Sequence, residues 1–259
     1  METLSGKVAI VTGASRGIGR GIAARLAKEG ALVILCARNE AMLAEAVREI
    51  LGARGNATSL ALDLRAPESA ARLVDFATQI GSGVDILVNN AGATKRGDFL
   101  TLTDDDWADG FALKFFGAMR VTRAAWPYLK TSRGSVINIS GGGGRTPGAE
   151  FAIGGSVNAA MQSFTKATAE LGIADGVQVN VINPGLIRTG RLQKRLDDLA
   201  AEKGIDLPTA EQQIIAATKT TRIGEPADIA ALVAFIASPE GRFLQGAMID
   251  MDGGATKTL

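Results

Sequence analysis

No histidine occurs anywhere in the 259 residues. That removes the commonest general base and the commonest zinc ligand, so a histidine-dependent catalytic triad and a histidine-held metal are both excluded. Cysteine is nearly absent: Cys36 has no partner for an internal disulfide, which points to a reducing compartment. Aromatic residues make up only 5% of the chain, so the core must be aliphatic. No apolar run approaches the length of a membrane span, and residues 1–5 are too short and too polar for a signal peptide. The expectation is a soluble, cytoplasmic protein. A formal net charge of +1 gives no sign of a nucleic-acid or membrane partner.

What remains is an apolar, glycine-rich chain. Short aliphatic runs at 8–11, 32–35, 59–62, 86–88, 135–139, 178–182 and 247–250 read as strands. They are continuous rather than alternating, as strands covered on both faces should be. Amphipathic stretches at 18–29, 40–51, 67–80, 104–130, 157–174 and 226–237 read as helices. This β–α rhythm predicts an α/β fold: a doubly wound, Rossmann-type parallel sheet of about seven strands flanked by helices, in a single domain. Residues 190–221 break the rhythm. They are charged, with helix patterns at 192–201 and 211–217 and a proline at 208, and are expected to form a helical lid over a ligand.

The first strand runs into Thr12-Gly13-Ala14-Ser15-Arg16-Gly17-Ile18-Gly19 and then a helix. Gly13 permits a tight turn, Gly17 close approach of a pyrophosphate, and Gly19 tight helix–strand packing. The helix N-terminus then offers free N–H groups and the positive end of its dipole. In a strand–turn–helix context this is a dinucleotide-binding signal; out of context it is an ordinary glycine turn.

Four further pieces recur along the chain: Asp63-Leu64, Asn89-Asn90-Ala91-Gly92, Asn183-Pro184-Gly185 with Ile187 and Thr189, and Asp252-Gly253-Gly254. With the glycine loop, these resemble the short-chain dehydrogenase/reductase family, in its β-ketoacyl-reductase and tropinone-reductase-like branch. The resemblance implies an NAD(P)(H) site lined by Gly13, Ser15, Arg16, Gly17, Ile18, Gly19, Arg38, Asp63, Leu64, Asn90, Ala91, Gly92, Asn158, Pro184, Gly185, Ile187 and Thr189. Asp63 and Leu64 would line the adenine pocket; Pro184, Gly185, Ile187 and Thr189 would hold the nicotinamide end. At the end of the second strand Ala37 stands where an acid would favour NAD(H), and Arg38 follows. Arg16 and Arg38 together suit a 2′-phosphate, so NADP(H) is favoured over NAD(H); otherwise Arg38 is a solvated residue before a helix. The resemblance also implies a small-molecule substrate and a homodimer or homotetramer, with the 104–130 and 157–174 helices at one interface.

In that family a tyrosine, a lysine four residues on, a serine and an asparagine run the chemistry. Phe164-Thr165-Lys166 and Trp107 fix the register by this resemblance. The tyrosine position then falls on Gly154, the lysine position on Asn158, the serine position on Gly141 and the asparagine position on Lys114. All four types differ, and the only tyrosine, Tyr128, reads as a packing residue. Lys114 lies among Phe111, Leu113, Phe115 and Phe116, where an ammonium is costly unless it reaches water, a carboxylate or a ligand. It is either a catalytic or anchoring group with a depressed pKa or a snorkelling lysine that fills space. Ser140, Ser156, Glu150 and Lys95 are the other polar candidates. Three functions follow: an oxidoreductase acting on a carbonyl or alcohol without the usual Tyr/Lys pair, a silent nucleotide-binding sensor or partner subunit, and a non-redox lyase or hydratase using Lys114. If the pocket is otherwise intact, Gly154→Tyr with Asn158→Lys and Gly141→Ser is expected to create carbonyl reductase activity.

Overall fold

The computed structural model describes residues 3–257; the first two residues of the 1–5 segment weighed above lie outside them. Seven strands form one parallel sheet in the order β3-β2-β1-β4-β5-β6-β7. They are β1 (Val8–Thr12), β2 (Leu32–Ala37), β3 (Asn56–Ala61), β4 (Ile86–Asn89), β5 (Ser135–Ile139), β6 (Gln178–Pro184) and β7 (Met248–Met251). The central strands β1, β4 and β5 are buried along their whole length, which explains their unbroken aliphatic runs.

Alternate residues of each strand feed two cores. Ala9, Val11, Val33 and Leu35 pack under α1 (Gly17–Lys28), α2 (Glu40–Gly52) and α9 (Pro226–Ala237). Val8, Ile10, Ile34 and Leu87 pack under α3 (Ser69–Gly81), α5 (Ala118–Ser132) and α6 (Ala152–Asp175). Each fully buried aliphatic side chain contributes about 1.5–3 kcal/mol, so two such layers hold the sheet without disulfides.

Several elements differ from the sequence expectation. The third strand starts at Asn56 and ends at Ala61 rather than spanning 59–62. It is an edge strand whose residues are mostly part-exposed, so polar Asn56, Thr58 and Ser59 sit in it without an apolar signal. The 104–130 helix is interrupted: α4 (Asp104–Phe111) passes into a π-helical segment, Ala112–Gly117, before α5. The helix expected from 157 begins at Ala152, because Gly154 and Gly155 hide its first turn from propensity-based reading.

Residues 190–221 contain α7 (Gly190–Lys203) and α8 (Leu207–Thr218). Both are longer than their sequence patterns. Pro208 sits in the first turn of α8, where its missing N–H costs nothing. Leu192, Leu196, Ala210, Ile214 and Ile223 form a small core of their own there. Among the described residues, no helix is long and apolar enough to cross a membrane.

Candidate functional site

The strand order reverses between β1 and β4, and in doubly wound sheets ligands bind at the carboxyl ends of the strands beside such a reversal. The glycine turn lies there. Gly13 has φ +66°, and a Cβ on it would fall 2.8 Å from Ala91 Cα. Only glycine therefore lets the loops after β1 and β4 touch. Thr12 and Asn90 fasten them. Thr12 Oγ1 accepts from the Asn90 and Ala91 amides at 2.9 and 3.0 Å, and Asn90 Nδ2 donates to the Thr12 carbonyl at 3.0 Å. Asn90 thus shapes the turn.

The turn presents α1 to the cleft with its N-terminus unsatisfied. Arg16 occupies the cap position without a side-chain capping bond, and the first turn holds no acid. Free N–H groups and an uncompensated dipole suit a diphosphate. Across the groove, Thr189 makes no side-chain capping bond on α7, and a Cβ on Gly17 would lie 3.2 Å from Thr189 Cγ2. Gly185 lets the Asp252 loop close in, since a Cβ there would lie 2.6 Å from Asp252 Cα. These residues fit a dinucleotide: a glycine turn that leaves room for the backbone to approach a ligand and free amides at the start of α1. Ser15, Leu64 and Ile187 are buried around it and Gly19 packs against the Gly13 carbonyl, whereas Ile18 is half-buried.

Beyond the turn Arg16 is exposed, and Arg38 Nη1 lies 3.8 Å from Asp63 Oδ2 with most of its side chain in solvent. Asp63 Oδ1 accepts from the Arg65 amide at 3.0 Å. Asn39 caps α2 by accepting from Met42 N, so Arg38 stands just outside the helix.

Deeper in the cleft stands Lys114, on the π-helical segment. Such segments insert an extra residue into a helix and are frequent at functional sites. The stem of Lys114 runs past Gly92, where a Cβ would lie 3.0 Å from Lys114 Cδ. Its ammonium does not snorkel to solvent. It donates to Asn158 Oδ1 at 2.6 Å and to the Ser140 carbonyl at 2.9 Å. Burial, then the nearby Arg191 guanidinium, lowers its pKa to about 7. Asn158 is buried on α6.

Ser140 Oγ donates to the Asn158 carbonyl at 3.0 Å, so this hydroxyl braces β5 against α6. Gly141 is tied back by Gln162 Nε2, which donates to its carbonyl at 3.2 Å and to Asn183 Oδ1 at 3.0 Å. Lys95 is paired with Asp106, and Ser156 is exposed on α6. Tyr128 lies partly exposed on α5, with no hydrogen bond from its side chain among the described residues.

Sequence reasoning missed Phe151. Its ring fills the volume beside Gly154, and a Cβ built there would clash with the far edge of the ring. A bulky residue three places before a helical glycine was the available signal. Gly154→Tyr in the triple substitution must therefore displace the Phe151 ring. In the unmodified chain a Cβ on Gly141 would lie 2.8 Å from Asn158 Nδ2, so Gly141→Ser alone also crowds the cleft. Also missed were Arg96, Arg191 and Arg195; the last two lie one turn apart on α7.

Comparison with known proteins bears on this geometry. The family model described as short chain dehydrogenase matches residues 7–200. The chain belongs to the short-chain dehydrogenase family. An uncharacterized oxidoreductase of Mycobacterium tuberculosis is 37% identical, covering 99% of this chain and 94% of its own. The 3-oxoacyl-[acyl-carrier-protein] reductase of Vibrio cholerae is 36% identical, covering 97% and 98%. The L-sorbose reductase of Gluconobacter frateurii, solved with NADPH and L-sorbose, superposes with a TM-score of 0.96 at 32% identity over the full length of both chains. Among the described residues, no group of His, Cys, Asp and Glu is placed to hold a metal ion.

Proposed function

We propose that this member of the short-chain dehydrogenase family is an NADP(H)-dependent oxidoreductase interconverting a carbonyl and an alcohol, with Lys114 handling the proton elsewhere handled by a tyrosine. The observation that carries it is the Lys114 ammonium, held in the cleft by Asn158 and Ser140 with a pKa near 7. When bound, the nicotinamide supplies or accepts the hydride. An ammonium has three donors; two are engaged, and the third is left for a substrate oxygen. An acid–base group is most effective when its pKa lies near the operating pH.

NADP(H) is favoured because Arg38 and Arg16 flank the adenosine end with no acid at Ala37, and because the L-sorbose reductase neighbour was solved with NADPH. α7 and α8 serve as the substrate lid. Exposed Phe116, Leu171 and Ile173, on the 104–130 region and on α6, support a homodimer or homotetramer through those helices.

A second reading, a catalytically silent nucleotide-binding protein, is favoured by the Phe151 ring, which puts an inert group beside Gly154. Purified protein is titrated with NADPH by fluorescence and then assayed for NADPH oxidation against aldehydes and ketones. Binding with turnover supports the first reading; binding without turnover across the screen supports the second.

A further inference from the structure

Three arginines gather at the mouth of the Lys114 cleft from two sides. Arg96, in the loop between β4 and α4, lies over Phe151 with Cζ 4.3 Å from the ring centroid. Arg191 and Arg195 project from α7. Arg191 Nη2 donates to the Gly92 carbonyl at 3.1 Å, the same Gly92 that packs on the Lys114 stem. The four cations share one field. Burial and Arg195, and more weakly Arg191, push the Arg96 pKa down, while Glu150 opposes them; Arg191 does the same to Lys114. Glu150 is the one carboxylate acting on Arg96.

The neighbouring arginine on the same segment does find acids. Arg188, three residues before Arg191, is held by both Glu211 and Glu225. Among the described residues, Arg96, Arg191 and Arg195 form no ion pair. With Glu150 alone set against four cations, the cluster keeps a net positive charge, which an entering anion relieves. Guanidinium forks match carboxylate and phosphate oxygens in pairs.

We propose that Arg96, Arg191 and Arg195 recognise an anionic group on the substrate, a carboxylate or a phosphate, placed on the cleft-mouth side of the carbon that faces Lys114. The anion site stands on its own geometry; only the placement of the reacting carbon rests on the function proposed above. The glycine turn, with its own free amides at α1, serves the cofactor diphosphate separately.

The test is calorimetric binding to the NADP+-loaded protein at low salt, without turnover. The probes are 2-oxobutanoate beside its methyl ester, and dihydroxyacetone phosphate beside dihydroxyacetone. At least one charged probe is expected to bind about tenfold or more tighter than its uncharged counterpart, a gap of about 1.4 kcal/mol, and to weaken with added salt. Which pair shows the gap tells carboxylate from phosphate. Arg96→Met and Arg195→Met should each weaken that probe severalfold and leave the uncharged counterpart and NADPH affinity unchanged, and Arg195→Lys should bind the probe more tightly than Arg195→Met. Equal binding of charged and uncharged probes, or no effect of the variants, overturns the proposal. So does a parallel loss of NADPH affinity, which would assign the cluster to the cofactor. Because nothing is turned over, a silent Lys114 leaves this readout intact.

Discussion

The Lys114 ammonium lies 2.6 Å from Asn158 Oδ1, joining the π-helical segment after α4 to the first turns of α6. In the register proposed from the sequence, the family places an asparagine on the first of these elements and a lysine on the second. The amide and the ammonium therefore meet in the cleft with their donors exchanged. The Ser140 carbonyl completes the cradle at the end of β5. Asn158 carries no charge, so burial is not offset by an acid, and the lysine pKa falls toward neutrality.

That pKa gives the reaction a pH signature. Carbonyl reduction needs Lys114 protonated, so its kcat should fall as pH rises through about 7; alcohol oxidation needs it neutral, so that rate should rise through the same point. Steady-state kcat in both directions between about pH 5.5 and 9 checks this. Profiles flat across neutrality would assign the proton to another group.

The same shift acts on stability. The lysine is lowered from 10.5 to about 7 on folding. Between those values the unfolded chain binds the extra proton, so stability rises with pH. Below about 7 both states are charged and the native state bears the whole cost; above 10.5 both are neutral and none remains. Lys114→Met removes the titration. The Tm of the variant minus that of the wild type should be most positive near neutral pH and shrink toward about pH 10. A difference independent of pH would place the ammonium in water in the native state.

Phe151 makes a third expectation. Gly154→Tyr with Asn158→Lys and Gly141→Ser removes the Asn158 acceptor that holds Lys114, so the triple variant should lose the wild-type activity, while the same set with Phe151→Ala should regain NADPH-dependent ketone reduction. Positioned proton transfer is worth about 10²- to 10⁴-fold, so the gain is readable against the triple variant. Equal activity with and without Phe151 would mean that the ring moves aside freely. Retained NADPH binding in both variants guards against misfolding.

The outcome at Phe151 illustrates which features a sequence discloses. The glycine turn, the Asn89-Asn90 segment and the parallel β–α alternation were legible because local patterning fixes them. β3 was misplaced because an edge strand tolerates Asn56, Thr58 and Ser59. The π-helical segment left no pattern, since its extra residue changes hydrogen bonding and not composition. Lys114 had two readings until its ammonium was seen bonded inward. The arginine cluster was hidden because Arg96 and Arg191 come from distant segments brought together only by the folded chain.

In the proposed function cofactor preference turns on Arg38, which stands beside Asp63 outside α2. Arg38→Ala should weaken NADPH binding by roughly tenfold or more, as loss of a charge-assisted bond to phosphate costs about 1.5–3 kcal/mol, and should leave NADH affinity nearly unchanged. Fluorescence titration with both nucleotides reads the ratio. A parallel fall for both would place Arg38 away from the 2′ position.

The most direct measurement is kcat for NADPH-dependent reduction by wild type and Lys114→Met, with the NADPH dissociation constant determined on the same preparations. A loss of about 10²- to 10⁴-fold in kcat with NADPH affinity retained is the predicted result. A Lys114→Met protein that binds NADPH and reduces the substrate at the wild-type rate would contradict the account.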